Sequence, residues 1–118
     1  MSAPPFASRL SEVEAALAQA LPSAARAMGE AAVQAVRAQM LTGYARPVYD
    51  TGALHADVRC RAEGASVLVG NTLPYAPAVH NGTARAAARP YLQDGLLGSA
   101  EAIRGAAART LAEALPHP

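Results

Sequence analysis

Leu10, Val13, Leu17 and Leu21 recur at intervals of three and four residues, the spacing that gathers apolar side chains on one face of an α-helix. Ser8 or Ser11 offers a cap for its start. Pro22 interrupts the run, Ser23 offers a fresh cap, and Met28, Ala32, Val36 and Met40 form a second apolar stripe. The pattern predicts a helical region over residues 1–41, either one amphipathic helix kinked at Pro22 or two in succession. Gly43 is a poor helix former and Pro47 drives Arg46 toward extended backbone, so a loop begins there.

From Leu54 to Ala62 the period changes to two. Leu54, Ala56, Val58, Cys60 and Ala62 alternate with His55, Asp57, Arg59 and Arg61, which predicts a half-buried strand. Glu63-Gly64-Ala65 reads as a turn and Ser66 to Thr72 as the returning strand of a hairpin. Two strands alone are marginal, so the long helix, further strands or a neighbouring subunit must cover their apolar face. Tyr75 to His80 reads as one helical turn closed by Asn81-Gly82, and Thr83 to Arg89 as a basic loop before Pro90. A last stripe runs through Leu92, Leu96, Ala100, Ile103, Ala107, Leu111 and Leu115, predicting a C-terminal helix over 91–115 weakened by Gly95, Gly98 and Gly105. The fold class is α+β, in one domain spanning 1–118.

Composition thins this picture. The hydrophobic fraction of 52% is carried by alanine, about a quarter of the 118 residues, while four tyrosines and Phe6 are the only aromatics. Large buried side chains contribute roughly 1.5 to 3 kcal/mol each and alanine much less, so association between subunits is expected to supply part of the stability. A net charge of +1 builds no field that selects nucleic acid or membrane, and the use of arginine for all ten basic residues fits coding bias better than phosphate recognition. The single Cys60 excludes an intrachain disulfide and suits a reducing compartment. With no apolar run of 18 residues and no signal-peptide pattern, the chain is expected to be soluble and cytosolic when synthesised, without a membrane partner.

Catalytic and metal-binding patterns find no anchor. His55 and His80 stand 25 residues apart with Asp50, Asp57 and Asp94 as candidate carboxylates, but no spacing typical of metal ligands joins them. His55 is expected to be solvated on the polar side of its strand and Cys60 to be a small core side chain. No nucleophile elbow or phosphate-cradling glycine loop occurs. No cofactor is expected, and the chain reads as a non-enzyme. Arg85 and Arg89 in the loop Ala84 to Arg89 are candidates for a contact with a phosphate backbone or an acidic neighbour.

Three phrases go beyond generic pattern: Tyr49-Asp50-Thr51-Gly52-Ala53-Leu54 before the hairpin, Tyr75-Ala76-Pro77-Ala78-Val79-His80-Asn81-Gly82-Thr83 after it, and Arg89-Pro90-Tyr91-Leu92 at the last helix. Each has a local role. Asp50 or Thr51 with Gly52 makes a turn aiming the chain into the first strand, Tyr75 brings an aromatic anchor, Gly82 supplies a tight turn, and Pro90 starts the terminal segment.

Their order and spacing resemble the tail-completion, or head-to-tail joining, proteins of long-tailed phages and prophages of the Hong Kong ninety-seven gene-ten type. The resemblance covers the hairpin and loop region, 49–96. It implies a structural virion protein, minor capsid or minor tail in label, made in the host cytoplasm and placed at the head–tail junction. It further implies a ring, as a homohexamer, between the portal-side connector or adaptor proteins and the tail terminator or tail tube protein. In such a ring the Thr83 to Arg89 loop, with Arg85 and Arg89, would project toward the lumen, near genomic DNA, toward the next ring, or into solvent. Members of that family often carry an acidic residue where His80 stands and a basic one where His55 stands, so an ion pair between subunits at either place is not carried over. A histidine at an interface would instead make assembly sensitive to pH. Two other readings stand beside this one: a tail terminator ring, and a small nucleic-acid-binding or toxin-like regulatory module.

Overall fold

A computed structural model describes the backbone of residues 6–64 and 66–115 and side chains from Leu10 onward. The leader before Phe6, Ala65 of the turn and the three residues from Pro116 lie outside the described residues. The first third forms one helix, α1 (Phe6–Thr42), 37 residues long with Pro22 inside it. At 1.5 Å per residue it is about 55 Å long. Ser8 and Ser11 therefore fall within the helix and not at its start. Pro22 removes a single backbone donor at an exposed position, and the helix continues through it.

The two apolar stripes of α1 have different fates. Ala32, Val36 and Met40 are buried and Met28 half-buried, as the periodicity predicts, whereas Leu10 and Leu21 remain 46% and 40% exposed. The first stripe, with Val13 and Leu17 partly buried, lies outside the hydrophobic core cluster. After α1 come a short helical turn α2 (Ala53–Ala56), strands β1 (Arg59–Glu63) and β2 (Ser66–Gly70), then α3 (Ala76–Asn81), α4 (Tyr91–Gly98) and α5 (Ala100–Ala114). The architecture is α+β with a two-stranded antiparallel hairpin, in the register Arg59 opposite Gly70 through Glu63 opposite Ser66.

The predicted first strand is corrected at its start. Leu54 and His55 belong to a helical turn, and Asp57 and Val58 are both buried, which alternation forbids. Asp57 explains the change. Its carboxylate accepts the Thr72 amide at 2.6 Å, the Thr72 hydroxyl at 2.7 Å, the Leu73 amide at 3.0 Å and Arg59 Nε at 3.2 Å. These bonds draw the residue inward and tie the entry of β1 to the exit of β2. They also end β2 at Gly70, two residues before the predicted limit. Cys60 is corrected too: it is exposed, although its sulfur lies on the side of the hairpin that meets α1.

Helix α1 is the axis on which both ends pack. Ala16, Ala20 and Ser23 border one groove with Thr110, Glu113 and Ala114, and Ala27 and Ala31 another with Ala106 and Arg109, so α5 runs antiparallel to α1. Gly29, nine residues from Ala20 and hence half a turn round the helix, faces the hairpin instead. A Cβ there would sit 2.8 Å from Cys60 Sγ and 3.2 Å from Val67 Cγ1, so the missing side chain is what admits the strands. The predicted C-terminal helix is divided at Ser99 into α4 and α5, just after Gly98.

The core is small and lies toward the C-terminal end of α1. It joins Val36 and Met40 of α1, Val48 of the next loop, Leu54 and Val58 around α2, Ala76 of α3 and Tyr91 of α4. The aromatic anchor is Tyr91, fully buried, and not Tyr75, which is 48% exposed. The whole molecule measures 73 × 23 × 21 Å with a radius of gyration of 19.1 Å. A compact domain of this length has a radius near ~13–14 Å. The chain is a rod with a core at one end.

Candidate functional site

Two of the three sequence phrases, and the arginine that opens the third, meet at the core end of the rod. Tyr49 to Leu54, Tyr75, Val79 and Arg89 line one open groove of about 630 Å³. Gly52 begins α2 with φ 88°, a left-handed conformation, and a Cβ there would lie 2.8 Å from the Tyr49 hydroxyl. Glycine thus serves the turn twice over, by its backbone angle and by leaving room for the ring. The Thr51 hydroxyl accepts the Ala53 amide at 3.4 Å. The predicted turn is present, but it leads into a helical turn and not into the strand.

Arg89 closes one side. Its Nη1 donates to the Arg46 and Pro47 carbonyls at 3.3 and 2.9 Å, and its own amide donates to the Val79 carbonyl at 3.1 Å. It fastens the chain after α1 to α3. The two candidate arginines of the loop stand differently: Arg89 is held in the scaffold, while Arg85 is exposed. That loop is shaped by Thr83, whose hydroxyl accepts the amides of Arg85 and Ala86 at 3.2 and 3.1 Å. Gly82 precedes it with φ 81°, and a Cβ would meet the Ala88 nitrogen at 2.7 Å.

The other face of α3 borders a second, smaller cavity of about 310 Å³, where Ala76, His80, Tyr91 and Leu92 meet Asn71. The Tyr91 hydroxyl donates to Asn71 Oδ1 at 2.7 Å, and Asn71 Nδ2 donates to the Leu54 carbonyl at 3.3 Å. This chain of bonds connects the anchor of α4 to α2, a wall of the larger groove. Burial pushes the Tyr91 hydroxyl up to about 12, with the Asp57 and Tyr75 charges acting in the same direction. Pro90 stands at the head of α4, as its sequence position predicts.

The histidines do not come together. His55 is half-buried in the larger groove, edge-on to Tyr49 at 5.4 Å, with Nε2 buried and unpartnered; it is not the solvated strand residue its position predicts. His80 stacks edge-on against Tyr91 at 5.4 Å, its Nδ1 within 3.1 Å of Asn81 Oδ1 and its Nε2 buried without a partner. Among the described residues no cluster of three or more His, Cys, Asp or Glu side chains has the geometry to hold a metal ion. None of the described helices is long and apolar enough to cross a membrane.

Several residues that build the site carry no sequence signal. Arg37 Nη2 donates to the Ala56 and Val58 carbonyls, both at 3.3 Å, from near the C-terminal end of α1. Tyr44 donates to Asp94 Oδ2 at 2.6 Å, tying the end of α1 to α4; burial, then this hydrogen bond, raises its pKa. Arg46 lines the groove beside Tyr49, and its guanidinium makes no hydrogen bond among the described residues. No protein-family model matches the chain, and no curated protein or solved structure is detectably similar to it.

Proposed function

We propose that this chain is a structural subunit of the tailed-phage neck, a head-to-tail joining or tail-completion protein. It would act as one member of a ring between connector and tail tube. The observation that carries the reading is the convergence of the phrases on which the family resemblance rests. Residues 49–54 are separated from Tyr75 and Val79 by the whole hairpin, yet they line one groove with Arg89. A signature dispersed in sequence and continuous in space belongs to a surface that has to keep its shape.

The form of the molecule supports an assembly role. A rod with a core at one end leaves a two-stranded hairpin with both edges free and apolar side chains such as Leu68 (51%) and Leu97 (69%) exposed. Closed rings cover such edges and faces. The work of the protein in this reading is interface formation without turnover, and its partners are further copies of itself, the connector side and the tail side.

The test is joining in vitro. Filled heads with their connector, mixed with completed tails, should form infectious particles only when the purified protein is added, and negative-stain images should show a ring at the neck. Full joining without the protein would sink the proposal.

A further inference from the structure

We infer that the end of the rod away from the core is a detachable arm. In it α5 and the part of α1 before Ala24 open together, as one unit, while the hairpin, α2 to α4 and the rest of α1 stay folded. The inference is independent of the ring reading and starts from where apolar surface is buried. The hydrophobic core and the partly buried side chains packed on it include no residue of α5 and none of α1 before Val33. No residue of α5 is buried, and the buried side chains in the described part of α1 before Gly29 are three alanines, Ala20, Ala24 and Ala25. Each removes little area from water, so the two helices are held by small contributions. Open grooves of about 490 and 390 Å³ run between them.

Polar contacts divide the molecule in the same way. Among the described residues no side-chain hydrogen bond or ion pair joins α5 to α1: Arg104 pairs with Glu101 and the Thr110 hydroxyl donates to the Ala106 carbonyl, both within α5. At the core end Tyr44 donates to Asp94, Arg37 to the Ala56 and Val58 carbonyls, and Tyr91 to Asn71. The backbone is also weak where it enters the arm. Ser99 gives α5 no side-chain cap, and a Cβ at Gly98 would meet nothing within 4 Å, so no packing holds this joint. On its other side α4 is fixed by buried Tyr91 and by the close approach of Gly95 to Val36. In α1, Pro22 has no amide to donate to the Ala18 carbonyl.

Detachment of α5 is therefore melting. A free helix of 15 residues with Gly105 inside it is marginal in water, and α1 before Ala24 loses the helix that covers it. Two segments from opposite ends of the sequence thus share one opening equilibrium, below that of the whole molecule. The groove of Tyr49, Leu54, Tyr75 and Arg89 lies wholly in the part that stays folded, so it keeps its shape while the arm opens and closes.

Hydrogen exchange of the full chain under native conditions, read segment by segment by mass spectrometry, tests this with two conservative variants. In the wild type the amides of 10–23 and 104–114 should be protected to one common level, more than about tenfold below those of 33–40 in the same α1 helix. Gly105→Ala, whose added methyl meets only the end of the Arg109 side chain, should raise protection of both arm segments by one factor, about two- to fivefold. Tyr44→Phe, which removes the bond to Asp94, should lower protection of 33–40 by about two- to tenfold and leave both arm segments unchanged, because the arm opens without the core. An arm as well protected as 33–40 overturns the inference. So does a Tyr44→Phe protein in which all three segments lose protection by the same factor. A gain confined to 104–114 in Gly105→Ala is fraying of α5 alone and overturns the shared opening.

Discussion

Replacing Gly95 and Gly105 separately by alanine should move stability in opposite directions, although both are helix-interior glycines. In a helix an alanine is worth about 0.8–1.0 kcal/mol over glycine, so both variants start with that gain. At Gly105 little opposes it: the added Cβ meets only the Arg109 Nη1 atom at 3.4 Å, the end of a flexible side chain. Gly105→Ala should therefore stabilise by about 0.5–1 kcal/mol. At Gly95 the Cβ would stand 2.8 Å from Val36 Cα and 3.2 Å from Val36 N and Cγ2, against the backbone of α1. Neither helix can yield without moving Tyr91 and the core it anchors. Overpacking of that kind costs about 1–3 kcal/mol, which cancels or exceeds the helix gain. The two variants should thus differ by about 1–3 kcal/mol, with Gly95→Ala the less stable. Urea unfolding followed by circular dichroism reads this as midpoints separated by about 1 M, given slopes of about 1–3 kcal/mol/M. A Gly95→Ala protein as stable as Gly105→Ala would refute the close approach of α4 to α1, and with it the way Tyr91 reaches the groove wall.

Acid should unfold the protein through Asp57. Hydrogen bonds from Thr72, first its hydroxyl and then its amide, outweigh the opposing burial and hold this carboxyl at about 2, helped by the Leu73 amide and Arg59. The unfolded chain, with an ordinary carboxyl near 3.8, binds the proton first. The stabilisation is therefore complete above about pH 4 and is lost as pH falls toward 2; melting temperatures across this window should show it, and Asp57→Asn should flatten the slope. Tyr91→Phe leaves Asn71 Oδ1 without its donor and should cost about 1–3 kcal/mol in the same urea assay. In an alkaline ultraviolet titration it should also remove the tyrosine that ionises last, near 12. Arg89→Ala, which frees the Arg46 and Pro47 carbonyls, should cost about 1 kcal/mol, while Arg85→Ala should stay within about 0.5 kcal/mol; equal effects would contradict the division of labour in that loop. On a DNA column the protein should elute at low salt, because Arg59 and Arg61 on the hairpin are already paired with Asp57 and Glu63. Retention beyond about 0.3 M salt would favour the nucleic-acid-binding reading instead.

Much of this molecule is legible from local pattern. The helical stripe through Met28, Ala32, Val36 and Met40, the hairpin about Gly64, the turn closed by Gly82 and the helix start at Pro90 depend on neighbours in sequence, where periodicity and turn chemistry act. Alternation misreads residues 54–58 because it carries no information about Thr72 and Leu73, whose donors pull Asp57 inward from the far side of the hairpin. It likewise places Cys60 in a core that a two-stranded sheet on a single helix cannot build. Leu10, Val13, Leu17 and Leu21 are periodic, as any buried stripe is, yet Leu10 and Leu21 stay 46% and 40% exposed and Val13 and Leu17 are only partly buried.

The sequence by itself therefore determined the long first helix, the hairpin, the helical C-terminal region, their order and the α+β class, since these follow from backbone preference and the period of apolar residues. Tertiary structure alone decided that Tyr91 and not Tyr75 is the anchor, that Arg89 is a strut while Arg85 is free, and that phrases 20 residues apart share one groove. Each of those outcomes depends on which surfaces meet across the core, and that is settled by packing between elements, a property no stretch of chain carries alone.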